Sequence, residues 1–117
     1  MQRLKTRAQF QAVLACDTVA RSAHFALHRL MLDDTATEAQ LGAMVPKRWA
    51  RRAVTRNAIR RQMYAVGAAF EPRLGRTAHV VRLRSTFDRA RFVSATSEPL
   101  KRAVRAELEQ LFQRAYP

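Results

Sequence analysis

The sequence predicts an α+β domain, and three observations carry that expectation. Apolar residues recur at helical spacing in three segments, alternating or β-branched runs fill three others, and breakers are few: three Gly and four Pro in 117 residues, of which 48% are hydrophobic. That composition argues against disorder despite the charge. The length matches one domain, residues 1–117, which would bury roughly two thirds of its unfolded surface around one modest core.

The elements follow in order. Thr6 and Gln9 have the spacing of a capping box, and Phe10, Val13 and Leu14 recur one turn apart, which predicts a helix from about Ala8 to Cys16. His24 to Leu32 alternates imperfectly, with Phe25, Leu27 and Met31 on one parity and His24, Ala26, His28 and Leu30 on the other, as a strand with two semi-apolar faces would. Asp33 to Gln40 is polar and acidic and suits a hairpin loop. Leu41 to Val45 is a second strand, which Pro46 ends or places at an edge.

From Ala53 to Phe70, the residues Ile59, Met63, Val66 and Phe70 fall at i, i+4, i+7 and i+11 and would bury one side of a helix. Gly67, Pro72 and Gly75 punctuate its end. Thr77 to Leu83 is a β-branched strand that leads into a basic loop around Arg82 and Arg84. Ser97 can cap a last helix with Glu98 and Pro99 in its first turn and a stripe of Leu100, Val104, Leu108 and Leu111. The predicted order is helix, two strands, helix, strand, helix.

Charge is the strongest functional signal. The chain has 22 basic and 9 acidic residues, a formal net charge of +13. Only Lys5, Lys47 and Lys101 are lysines, so Arg dominates, which favours forked contacts to phosphate over point-charge attraction. Between Glu38 and Glu71 lie Lys47, Arg48, Arg51, Arg52, Arg56, Arg60 and Arg61 without one acidic residue. A solvated helix face normally alternates signs to gain i,i+4 pairing. This one has no acidic partner, so a polyanion surface is expected. At 100° per residue, Arg56, Asn57, Arg60 and Arg61 share an arc beside the apolar stripe, as a forked set able to grip successive phosphates. Asn57 can also read a base edge, or simply cap the helix. Trp49 reads as a packing residue that anchors a loop, with stacking on a nucleobase as the alternative.

Other chemistries are disfavoured. Cys16 is the only cysteine, which excludes an internal disulfide, and His24, His28 and His79 lack a carboxylate cluster for metal. No nucleophile triad, paired carboxylates or glycine-rich phosphate loop stands out, so no catalytic residue and no protein-bound cofactor is expected. No apolar stretch approaches a membrane span or follows the first basic residues as a signal peptide requires, so a cytoplasmic protein without a membrane partner is expected. Phe10, Leu14 and His28 are core residues or, if the first helix packs across the sheet edge, the lining of an apolar groove suited to single-stranded nucleic acid.

Taken together, Arg3-Leu4-Lys5 with Phe10 and Val13, then His24 to Leu32, LGAMVPKR, RRAVTRNAIRR and the AHVVRLR strand resemble the protein subunit of bacterial ribonuclease P over nearly the whole chain. The resemblance implies a two-layer α/β sandwich, a small mixed sheet packed with three helices, entered through a left-handed crossover. It implies an accessory subunit of an endoribonuclease, whose RNA subunit holds the magnesium and performs the 5′ maturation of tRNA. Carried over, Lys47, Arg48, Arg51, Arg52, Arg56, Asn57, Arg60 and Arg61 would face the catalytic RNA. Phe10, Leu14 and His28, with Lys5 and Arg7 at the rim, would line a cleft for the single-stranded leader of precursor tRNA. Three positions depart from the family pattern: Ala58 stands where a second Arg is usual, Tyr64 replaces a frequent basic residue, and His28 occupies a position commonly Tyr, with its own response to pH. The rival reading is a ribosomal or other structural RNA-binding protein; a DNA-binding helix and a protein-only nuclease fit less well.

Overall fold

The computed structural model describes residues 1–87 and 98–117. The elements are β1 (Gln2–Arg3), α1 (Arg7–Leu14), β2 (Thr18–Arg21), β3 (Phe25–Met31), β4 (Gln40–Met44), α2 (Ala53–Ala69), the single turn α3 (Glu71–Leu74), β5 (Thr77–Leu83) and α4 (Glu98–Ala115). Ser97, the expected cap of the last helix, lies outside the described residues. The five strands form one mixed sheet in the order β1-β4-β5-β3-β2. β1 and β5 run parallel to β4, while β3 pairs antiparallel with both β5 and β2. The α2 and α3 segment is the crossover that joins the parallel neighbours β4 and β5.

Alternation along the strands separates two unequal layers. On one face Phe25, Leu27, Leu41, Ala43, Val81 and Leu83 pack with Ile59, Met63 and Val66 of α2 and with Leu100, Val104, Leu108, Leu111 and Phe112 of α4. Both helical stripes thus bury the side that their spacing predicts, and the Phe70 and Phe112 rings meet at 5.4 Å between the two helices. On the opposite face Ala78 and Val80 form a small buried apolar cluster with Leu4 and Val13, with Phe10, Leu14, Leu30, Leu32 and Met44 half-buried around them. β3 therefore has the two apolar faces expected of it.

The structure corrects several details. β1 and β2 were not anticipated; the former has two residues and the latter pairs through an irregular register at Thr18 and Ala20. The Pro72 that punctuates α2 also lies in the first turn of α3, and Gly75 (φ 64°) ends that turn in the left-handed region open to glycine. Gly67 does not mark the end of α2: it is buried inside the helix, where an added Cβ would lie 2.3 Å from Leu41 Cδ2. Its missing side chain lets α2 approach β4 closely. Finally, α1 lies against the central strands β3 and β5 on one face, and not across the sheet edge.

Candidate nucleic-acid interface

The basic run begins where β4 stops. Trp49 N and Ala50 N both donate to the Pro46 carbonyl, at 3.1 and 3.2 Å, so the chain turns tightly after Val45. Ala50 is buried and Trp49 packs half-buried on the main core, with the Arg48 guanidinium 5.1 Å from its ring. Trp49 thus anchors the loop, and Lys47, Arg48, Arg51 and Arg52 are left exposed.

α2 then starts with Arg52 as its N-cap residue, no side-chain cap and no acid in the first turn. The positive end of its dipole adds to the arginines, whereas α1 closes its own N-terminus with the expected capping box. There Gln9 N donates to Thr6 Oγ1 at 3.2 Å, and Thr6 N donates back to Gln9 Oε1 at 3.0 Å. Asn57 is not a cap. It sits in the second turn of α2, exposed, and its Oδ1 accepts from Arg60 Nη1 at 2.8 Å. Arg56 is half-buried and bends back, its Nη1 donating to the Ala50 and Arg51 carbonyls at 3.1 and 2.8 Å. It clamps the basic loop onto the helix while keeping its charge at the surface. Arg61 is exposed beside Asn57. Among the described residues none of these seven cations forms an ion pair; the acids engage the N-terminal amine, His24, Arg76, Lys101 and Arg105 instead.

One turn beyond Arg60, Tyr64 is half-buried and its hydroxyl accepts the Ala43 N–H of β4 at 3.3 Å. β1 pairs with β4 only at Gln40 and Leu41, so this hydroxyl serves the edge of β4 beyond the end of β1. Arg3 of β1 lies over the Tyr64 ring, its Cζ 3.9 Å from the centroid.

The other candidate site is the groove between α1 and the sheet. Phe10, Leu14 and His28 do share that face, and Lys5 and Arg7 are exposed at the start of α1. Phe10 lies directly over Gly42, where an added Cβ would come within 2.5 Å of its Cε1, so a glycine is what lets the ring settle on the strand. His28 is not an open stacking face: it is 6% exposed, beneath the end of α1. Its Nδ1 lies 3.2 Å from the Cys16 carbonyl and its Nε2 lies 3.0 Å from Arg82 Nε. A carbonyl only accepts and a guanidinium only donates, so Nδ1 carries the proton and Nε2 receives the Arg82 N–H. His28 thereby holds half-buried Arg82 on the groove side of the sheet, in register with Met44 and Ala26. Sequence reasoning puts Arg82 at the end of the Thr77 to Leu83 strand and in the basic loop it leads into, and does not assign it to the groove. The period-2 face shared by Val80 and Arg82 was the signal that could have found it. Because β4 leaves this row at Met44 and reaches Lys47 three residues later, groove and basic run adjoin.

The remaining histidines serve the core side. His24 Nδ1 meets Glu107 Oε1 at 2.7 Å, and its ring stacks on Phe87 at 3.9 Å. His79 is fully buried; burial first, and the Arg29 charge second, push it down to about 4. Among the described residues no group of His, Cys, Asp or Glu could hold a metal ion, and no helix is long and apolar enough to cross a membrane.

The family profile of ribonuclease P matches residues 1–116. The chain belongs to the ribonuclease P protein family. It is 36% identical over 111 residues to the ribonuclease P protein component of Ralstonia pickettii, covering 95% of this chain and 76% of that one. It is 33% identical over 113 residues to that of Paraburkholderia xenovorans, covering 97% and 79%. The fold superposes on the Staphylococcus aureus RNase P protein with a TM-score of 0.76 at 19% identity, over 99% of this chain and 96% of that one. The Thermotoga maritima RNase P protein gives 0.71 at 18% identity, over 97% of both chains. The expected α+β architecture is therefore that of the family, and the chain's role lies in this ribonucleoprotein of tRNA processing.

Proposed function

We propose that this protein is the RNA-binding subunit of ribonuclease P, with two working surfaces. The loop 46–52 and the outer side of α2 bind the catalytic RNA through Lys47, Arg48, Arg51, Arg52, Arg60 and Arg61, with Arg56 shaping the loop and Asn57 orienting Arg60. The groove beneath α1 takes the single-stranded leader of precursor tRNA: Phe10 and Leu14 supply apolar lining, Arg82 a cation set by His28, and Lys5 and Arg7 the rim. Hydrolysis and its magnesium belong to the RNA subunit, and the protein works in the cytoplasm by binding.

The observation that carries this reading is a run of seven cations without an ion pair among the described residues, adjoining a half-covered apolar groove. Such a surface offsets its own repulsion when it meets a phosphate backbone. If about six phosphates are neutralised, log K for the RNA subunit falls with log salt at a slope of roughly −5.

The test is cleavage of precursor tRNA at low magnesium by the cognate catalytic RNA, alone and with the protein. Stimulated cutting at the mature 5′ end is expected, together with a gain in affinity for leader-bearing over leaderless substrate that Phe10→Ala removes. Paired replacement of Arg60 and Arg61 by Gln should instead weaken binding of the RNA subunit. Tight RNA binding with neither stimulation nor leader preference would move the assignment to a structural RNA-binding protein.

A further inference from the structure

We propose that Arg3, on the edge strand β1, is part of the phosphate-binding surface and supplies the positive charge that α2 lacks at Tyr64. The inference rests on the reading of α2 as the RNA-facing helix. Positions 56, 60 and 64 are one turn apart on a single side of α2, with a rise of about 6 Å between them. The first two are arginines, and the third is a tyrosine that carries an arginine on its ring. The basic strip therefore does not stop after Arg60; its next member arrives from a different element.

Three features make Arg3 a built contact and not a wandering surface side chain. Alternation in β1 sends Leu4 to the α1 side of the sheet, where it is buried, and Arg3 to the α2 side. Tyr64 is a fixed plate, because its hydroxyl accepts the Ala43 N–H and its ring packs against the main core. The Arg3 Cζ lies over the Tyr64 ring, 3.9 Å from its centroid, and a guanidinium that stacks by its face keeps its N–H donors along the edge. The face can remain on Tyr64 while the edge forks onto phosphate oxygens. Arg3 is exposed and has no ion pair among the described residues, so nothing there competes for that edge. The ligand class is the phosphodiester backbone of RNA.

The test measures the salt dependence of binding to the cognate RNA subunit for Arg3→Gln, Arg60→Gln and the double variant Arg3→Gln/Tyr64→Lys. A lost phosphate contact should flatten the log K against log salt plot by about 0.7 to 0.9. Arg3→Gln is expected to show that loss, and the double variant to recover it, because Lys at 64 returns the charge to the helix. Recovery separates an electrostatic role from a merely structural one, since Tyr64→Lys also removes the stacking plate and the hydroxyl. An unchanged slope for Arg3→Gln beside a flatter one for Arg60→Gln would overturn this inference and leave the RNA-facing helix standing. Unchanged slopes for both would remove the RNA-facing reading of α2 as well.

Discussion

His79 should make the protein lose stability on mild acidification, and the size of the effect follows from its surroundings. The ring is fully buried on β5. Thr77 Oγ1 donates to the Leu74 carbonyl at 2.6 Å and lies 3.2 Å from His79 Nδ1, while the Tyr116 hydroxyl lies 2.5 Å from Nε2. With its proton committed to Leu74, the Thr77 oxygen accepts from Nδ1–H and Nε2 receives the tyrosine proton, so the neutral ring is fully satisfied. A second ring proton would have to displace the tyrosine proton in a site that is dry and faces the Arg29 cation, whose Nη1 lies 3.5 Å from the Tyr116 hydroxyl. The folded pKa is accordingly near 4, against an ordinary 6.5.

Between those two values the unfolded chain binds the proton and the folded chain does not, so stability rises with pH across the window. The contribution is complete above pH 6.5 and is lost as pH falls towards 4. Linkage gives a loss of about 2 kcal/mol between pH 7 and pH 5 from this residue, approaching about 3 kcal/mol near pH 4. Urea unfolding at half-unit pH intervals measures it, with His79→Leu as the comparison. The variant begins from a different baseline, so the slope between pH 7 and 5 is the relevant quantity. It should be flatter than that of the natural chain by about 1 kcal/mol per pH unit. Parallel curves would refute the reasoning. Asp33 does not blur the test: its Thr35 hydrogen bonds lower its pKa below the ordinary carboxylate value of 3.8, so it titrates in a more acidic range.

Two other substitutions separate stability from binding. Gly42→Ala places a methyl group 2.5 Å from Phe10 Cε1 and 2.8 Å from its Cζ. Because Phe10 is half-buried its ring can swing outward, so unfolding should cost only about 1 kcal/mol less while leader affinity falls as for Phe10→Ala, read by titrating leader-bearing and leaderless precursor tRNA. Glu107→Gln puts an amide N–H among donors: the carboxylate accepts from Ser22 Oγ at 2.5 Å and His24 N at 2.7 Å, and meets His24 Nδ1 at 2.7 Å. A loss of about 2 kcal/mol in urea unfolding at pH 7 is expected, with the salt slope of RNA binding unchanged.

What was legible in the sequence follows from which features are local. The α2 and α4 stripes and the Thr6–Gln9 box depend on spacing within a few turns, and the structure buries or bonds those residues as expected. β1 and β2 are short, and β1 exists only through a parallel pairing with residues nearly forty positions away, so no local period marks it. Gly67 misleads for a similar reason: punctuation and close approach look alike until Leu41 is seen across the helix. The charge run was legible, but the division of labour within it was not. Whether Arg56 points outward or clamps Ala50 and Arg51 is a rotamer choice made by the folded loop. Arg3 and Arg82 enter their surfaces from strands remote in sequence, one through a tyrosine ring and the other through a histidine.

The unequal coverage of the sheet joins these observations. One face is sealed by two long helices and carries the large core, including Phe25, Phe112 and Leu108 with no exposed surface. The other is covered by an eight-residue helix, where Leu4, Val13, Ala78 and Val80 form a small buried cluster beside His28 and Phe10, Leu14 and Met44 are left half-wet. A fold that relied equally on both faces would lose core whenever a ligand entered the groove. Here the core that fixes the strands lies on the α2 and α4 side, so the groove can remain partly open and its residues can be chosen for contact. The same arrangement explains why the cations gather where they do. β4 passes directly from the groove floor into the basic loop, and α2 leads from that loop along the far side of the sheet. One short stretch of chain thus connects the half-covered apolar groove to a basic strip without ion pairs among the described residues.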